Sequence, residues 1–99
     1  MVEHRRSKRF ELKLPVEVVR AGAMTMKNAG ETRNLSSSGV LMSTEARVPV
    51  GESIEYLITL MLHAEGGDPL VRLRCLGKVV RQEISASAAT LERYEFVRG

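Results

Sequence analysis

"FELKLPVEVV", residues 10–19, is the stretch that decides the fold class of this chain. Apolar residues occupy every second position: Phe10, Leu12, Leu14, Val16 and Val18. Alternation with a period of two predicts a β-strand that buries one face. Pro15 falls on the outward phase, where an edge strand or a bulge tolerates a residue without a backbone N–H.

The same alternation recurs along the rest of the chain between frequent turn signals. Further strands are predicted over residues 23–35 (with a kink at Ala29-Gly30), 40–44, 53–62, 69–84 (with a bulge at Gly77) and 93–98. Ala21-Gly22, 36–39, 49–51, 63–69 and the small polar stretch 85–92 are predicted to be turns or loops. Short strands without an amphipathic helix predict an all-β fold. The expected architecture is a six-stranded antiparallel barrel of split or Greek-key-like topology.

Composition limits the chain to one modest domain. It has 99 residues, of which 43% are hydrophobic, which is too many for a disordered chain. We expect a flexible basic arm over residues 1–9 and a single barrel domain over residues 10–99. The charged N-terminus and the lack of an apolar run near 18 residues predict a cytoplasmic protein without membrane insertion.

Residues that carry chemistry are scarce. The two histidines, His4 and His63, are far apart and have no cysteine pair beside them, so no metal site or cofactor is predicted. Cys75 is the one cysteine and has no obvious base near it, so we expect a small buried strand residue. Glycine-rich phosphate loops and nucleophile elbows are absent from the sequence. The prediction is a protein that is not an enzyme.

The feature that needs explaining is the basic arm. Net charge is +3, and four of the 15 basic residues lie in the first nine: Arg5, Arg6, Lys8 and Arg9. Taken alone, this arm is either a solvated tail or half of a site for an anion. Asn34-Leu35-Ser36-Ser37-Ser38-Gly39 is the other notable segment, and taken alone it is a turn.

The two segments together resemble the PilZ domain family, the bacterial receptors for cyclic di-GMP. The family signature is Arg-x-x-x-Arg before the first strand, here Arg5 and Arg9, followed by Asp/Asn-x-Ser-x-x-Gly, here residues 34–39. The resemblance covers nearly the whole chain and implies the six-stranded PilZ barrel. It also implies that Arg5 and Arg9 clamp phosphate and guanine, while Asn34, Ser36 and Gly39 form a platform on the barrel wall.

Arginine suits such a ligand on physical grounds. Its planar fork pairs with phosphate oxygens and with the O6/N7 edge of guanine, and its face stacks on aromatic rings. Asn34 offers an amide and Ser36 a small donor and acceptor. Gly39 is expected to supply either an unusual φ or a close approach of ligand to backbone. His4, Arg6 and Ser38 are secondary candidates, and His4 leaves open whether one or two nucleotides bind.

Three functions from different classes are compatible with the sequence. The first is a cyclic di-GMP sensor whose arm becomes ordered on binding and changes the surface shown to a protein effector in trans. The second is a small basic barrel that binds single-stranded nucleic acid, which the scarcity of aromatic residues disfavours. The third is an adaptor between proteins that binds no nucleotide. Nucleic acid is therefore not expected as a partner, and the oligomeric state stays open.

Overall fold

The computed structural model describes residues 13–61 and 70–98, and within them it contains seven strands and no helix. The basic arm therefore lies outside the described residues. The strands are β1 (Pro15–Ala21), β2 (Met24–Leu35), β3 (Gly39–Thr44), β4 (Ser53–Met61), β5 (Leu70–Gln82), β6 (Ala86–Thr90) and β7 (Arg93–Arg98). The described residues offer no helix long and apolar enough to cross a membrane.

Six of these strands close into an antiparallel barrel. Their order is β4-β1-β2-β3-β6-β5, and the pairing of β4 with β5 completes the ring. The seventh strand, β7, pairs with the N-terminal half of β5, whereas β6 pairs with the C-terminal end of β5. The all-β class and the six-stranded barrel are thus confirmed, with one strand more than the sequence predicted.

The additional strand is β6, which lies within the stretch 85–92 that was predicted to be a loop. Its sequence, Ala-Ser-Ala-Ala-Thr, contains none of the large β-branched or aromatic residues that identify strands. Yet Ala86, Ser87 and Ala89 are all buried, because β6 lies between β3 and β5 in the wall of the barrel. Small side chains are what this crowded position requires.

Two glycines lie where β6 comes close to its neighbouring strands. A Cβ on Gly39 would lie 2.9 Å from the Ala89 carbonyl oxygen, and one on Gly77 would overlap the Thr90 carbonyl oxygen. Both glycines therefore allow the backbone of β6 to approach those of β3 and β5 closely. The bulge expected at Gly77 is instead at Val80, where the pairing of β5 with β6 shifts register.

The bulges of β1 and β2 also differ from expectation. The kink predicted at Ala29-Gly30 is displaced to Arg33, where the β2–β3 register shifts. In β1 the register shifts at Val19, against both β2 and β4. Pro15 is not on an edge strand, since β1 pairs on both sides. It is tolerated because it is the first residue of the strand.

The core follows the predicted alternation. Val16 and Val18 on β1 and Ile54, Tyr56 and Ile58 on β4 are buried, as the period-two pattern required. Tyr56 is fully buried, and its hydroxyl donates a hydrogen bond to the Thr90 carbonyl at 3.0 Å. This bond ties β4 to the C-terminal end of β6 across the barrel. The hydroxyl of this buried side chain is therefore satisfied.

Replacement of Gly77 by alanine tests the close approach of β6. The added methyl meets a backbone carbonyl that cannot turn away, so Gly77→Ala should lower the free energy of unfolding by about 1–3 kcal/mol. The neighbouring exposed Lys78→Ala should change it by less than about 0.5 kcal/mol. Urea unfolding of both variants measures the difference. Equal stability of the two would show that β6 does not lie against Gly77.

Candidate functional site

The turn between β2 and β3 is held by its own polar groups. The Ser36 N–H donates to the Gly39 carbonyl at 2.9 Å, and the Ser36 hydroxyl donates to the same oxygen at 3.3 Å. The Ser38 N–H in turn donates to the Ser36 hydroxyl at 3.3 Å. Ser36 therefore stabilises the turn through hydrogen bonds within it, and its hydroxyl takes part in two of them.

The bulge at Arg33 decides which way Asn34 faces. On β2, Thr32 is fully buried and lies opposite the buried Met42 of β3. In a regular strand, a residue two positions later would point to the same side. Because Arg33 is the extra residue of the bulge, Asn34 instead lies opposite Leu41, on the outer face of the wall. The bulge therefore turns Asn34 outward.

Asn34 belongs to a row of outward residues that crosses four strands. The register places Asn34 opposite Leu41, Leu41 opposite Ala88, and Ala88 opposite Arg81. With strands about 4.8 Å apart, this outer row is about 14 Å long. Its middle is small and apolar, and Arg81, at its end, is exposed and paired with Glu83 at 2.9 Å. The outer row is therefore a stretch of apolar side chains with a polar side chain at each end.

The sequence did not single out Leu41, Ala88 or Arg81. Ala88 lies in the segment predicted to be a loop, and Arg81 follows the unpredicted bulge at Val80. Three long-range strand pairings create the row, and no local pattern encodes them. Alternation within residues 40–44 places Leu41 in the outward phase, as it does Ser43, but it does not connect Leu41 to the other strands.

Of the two roles expected for Gly39, an unusual φ and a close approach of a ligand to the backbone, the structure tests the first. The φ of Gly39 is not in the left-handed region, which among the described glycines is occupied by Gly22 and Gly51 alone. The expectation of an unusual φ is wrong. The Gly39 backbone also approaches the Ala89 carbonyl of β6 closely, so Gly39 serves the pairing of β3 with β6.

The point at which the chain enters the barrel lies beside this turn. Leu14 precedes β1, and its N–H donates to the Thr32 hydroxyl at 2.9 Å while its carbonyl accepts the Thr32 N–H at 2.9 Å. Thr32 is two residues before Asn34. The structure therefore places Leu14 at the β2 end of the outer row, and we call this residue the root of the basic arm because it is five residues after Arg9.

The arginines of the motif lie outside the described residues, as do His4 and Arg6. Their distance along the chain can still be compared with the site. Arg9 is five residues before Leu14, a stretch that spans at most about 18 Å when extended. That length exceeds the outer row, so Arg9 is within reach of Asn34.

Cys75 and the metal-ligating residue types are the other groups with possible chemistry. Cys75 is fully buried, as predicted, and burial raises the pKa of its thiol to about 12. It therefore stays protonated and unreactive at neutral pH. Within residues 13–61 and 70–98, no group of three or more His, Cys, Asp or Glu is placed to hold a metal ion.

A cavity of about 260 Å³ lies on another part of the wall. Arg20, Glu55, Lys78 and Glu92 are among its lining residues. Glu55 is largely buried and lies 2.9 Å from the Arg20 guanidinium and 2.6 Å from that of Arg74. The Glu92 carboxylate accepts a hydrogen bond from the Thr90 hydroxyl at 2.8 Å. Acidic and basic groups balance here, so the cavity does not select an anion.

Comparison with known proteins bears on the whole chain. A family model described as PilZ domain matches residues 3–97. Comparison with curated proteins gave no match.

Proposed function

The chain belongs to the PilZ domain family, a family of cyclic di-GMP receptors, and from this premise we propose that it is a sensor of cyclic di-GMP. The ligand would lie on the outer row, held from one side by the basic arm and from the other by the β2–β3 turn. The observation that carries the proposal is the pair of hydrogen bonds between Leu14 and Thr32. They attach Leu14, which is five residues after Arg9, to the strand that carries Asn34, and this supports the proposal that both motifs contribute to one site.

Each motif residue has a role in this proposal. Arg5 and Arg9 pair with the phosphates and with guanine edges, and they stack on the bases. The outward Asn34 amide binds the edge of a guanine, and the flat Leu41 and Ala88 let a purine lie close to the wall. Ser36 shapes the turn from inside, and Gly39 lets β6 support it. Ser38, exposed on the turn, is a secondary contact.

Binding in this proposal is coupled to ordering of the arm. Ordering costs about 1–2 kcal/mol per residue. Charge-assisted contacts to two phosphates and stacking on two guanines must exceed this cost. The result is a changed surface near the turn, which a protein effector recognises in trans. The protein acts by binding and catalyses no reaction.

One observation favours a second candidate, a single-stranded nucleic acid. Tyr94 and Phe96 on β7 are 60% and 67% exposed, and their rings meet edge to face with centroids 6.2 Å apart. Exposed aromatic rings near arginines can stack unpaired bases. This platform is not on the outer row, so Phe96→Ala would weaken binding of an oligonucleotide and leave binding of cyclic di-GMP unchanged.

Calorimetric titration distinguishes the candidates. If paired phosphates and paired guanines are both recognised, cyclic di-GMP should bind at least about 100-fold more tightly than GMP or GTP, or about 2.7 kcal/mol. A single-stranded oligonucleotide should bind more weakly still. Equal affinity for all guanine nucleotides would indicate a generic anion site. Preference for the oligonucleotide would favour the second candidate, and no binding at all would favour an adaptor.

Substitutions divide the work between the two segments. Arg5→Ala, Arg9→Ala and Asn34→Ala should each weaken binding of cyclic di-GMP by at least about tenfold, or 1.4 kcal/mol. Unfolding free energy should change by less than about 0.5 kcal/mol, since none of these side chains is expected to fill the core. Arg9→Lys should also weaken binding, because it keeps the charge and loses the planar fork.

Asn28→Ala is the control for Asn34, since Asn28 is the same residue type on the same strand, six residues before Asn34 and farther from the turn. Its titration should match that of the unmodified chain. Normal binding by Arg9→Lys would mean that the arm acts through charge alone, and normal binding by Asn34→Ala would exclude the outer row.

A further inference from the structure

We propose that Thr32 is a positioning residue that fixes the root of the basic arm beside Asn34 and thereby sets the affinity for cyclic di-GMP without touching it. The inference rests on the proposed function and names a determinant that neither family motif contains. Thr32 is fully buried, so its side chain has no access to a ligand on the outer face.

The hydroxyl of Thr32 does what a backbone carbonyl would do in a regular strand pair. Leu14 lies one step beyond the Pro15–Glu31 pair of the β1–β2 ladder, opposite Thr32. In that ladder each residue would donate to the carbonyl of the other. The Thr32 N–H does donate to the Leu14 carbonyl, but the Leu14 N–H goes to the Thr32 hydroxyl. The side chain completes the pair next to the bulge at Arg33.

Leu14 is the last backbone donor before Pro15, which has none. Of the described residues that precede Pro15, Leu14 is bonded to the barrel, and both bonds go to Thr32. A valine at position 32 would fill the same space, but it would leave the Leu14 N–H without its acceptor. The root of the arm would then sample more directions, and binding would have to order more of the chain.

Thr44 provides a matched control. It is also buried, at 5% exposure, and its hydroxyl also accepts a backbone N–H, that of Ala46 at 3.1 Å. Thr44 ends β3 at the opposite end of that strand from the β2–β3 turn. Thr32→Val and Thr44→Val therefore each remove a buried hydroxyl that accepts a backbone N–H, one at the root of the arm and one away from it.

The experiment is calorimetric titration of the full chain with cyclic di-GMP, after urea unfolding has shown each variant to be folded. Thr32→Val should bind about tenfold more weakly than the unmodified chain. Thr44→Val should bind as the unmodified chain does, and Thr32→Ser, which keeps the hydroxyl, should restore most of the affinity. Normal binding by Thr32→Val, or an equal loss in Thr44→Val, would overturn the proposal.

A second measurement separates this inference from the proposed function. Hydrogen exchange at the Leu14 amide, without any nucleotide, should be at least about tenfold faster in Thr32→Val than in the unmodified chain or in Thr44→Val. Unchanged exchange would show that Thr32 does not anchor the arm, whatever the chain binds. Faster exchange in a chain that fails to bind cyclic di-GMP would keep the anchor, remove the proposed function and overturn the role of Thr32 in affinity.

Discussion

The arrangement of this barrel depends on how closely the backbone of β6 approaches the backbones of β3 and β5. At Gly39 and Gly77 a side chain would meet a carbonyl of β6, so both positions must lack one. At the C-terminal end of β6, the Thr90 carbonyl accepts a hydrogen bond from the hydroxyl of the buried Tyr56. Just beyond it, the Leu91 N–H donates to the Ser38 carbonyl at 3.0 Å, which attaches the β2–β3 turn to the β6–β7 link. The wall that carries the candidate site therefore depends on β6, which lies in its middle.

Two local features of β2 position residues of the candidate site. The bulge at Arg33 turns Asn34 from the inner to the outer face, and the Thr32 hydroxyl binds the last free donor before Pro15. Both lie within three consecutive residues of β2. In the proposed function, Arg9 and Asn34, which are 25 positions apart along the chain, contribute to one ligand. We infer that the barrel contributes placement and the arm contributes affinity.

Much of the fold could be predicted from local pattern, because alternation in β1 and β4 is strong and each strand buries one face. β6, the strand that the sequence did not predict, consists of small residues. Their low strand propensity gives no local signal of a strand. Bulges at Val19, Arg33 and Val80 arise from the closure of the barrel, and nothing local to these residues marks them. The motif residues of the turn could be named from sequence, whereas Thr32 and the outer row required the register. Gly39 could be identified but not explained, since its neighbour Ala89 is 50 residues away.

The central claim is that one nucleotide bridges the basic arm and the β2–β3 turn. Hydrogen exchange of the chain with and without cyclic di-GMP tests it most directly. The account predicts that added nucleotide slows exchange in residues 4–8 and in residues 34–39 together, while amides of β1 are protected throughout. It also predicts that both effects weaken in high salt, because exposed charges are screened. Protection of only one segment, or an arm already protected without nucleotide, would contradict it.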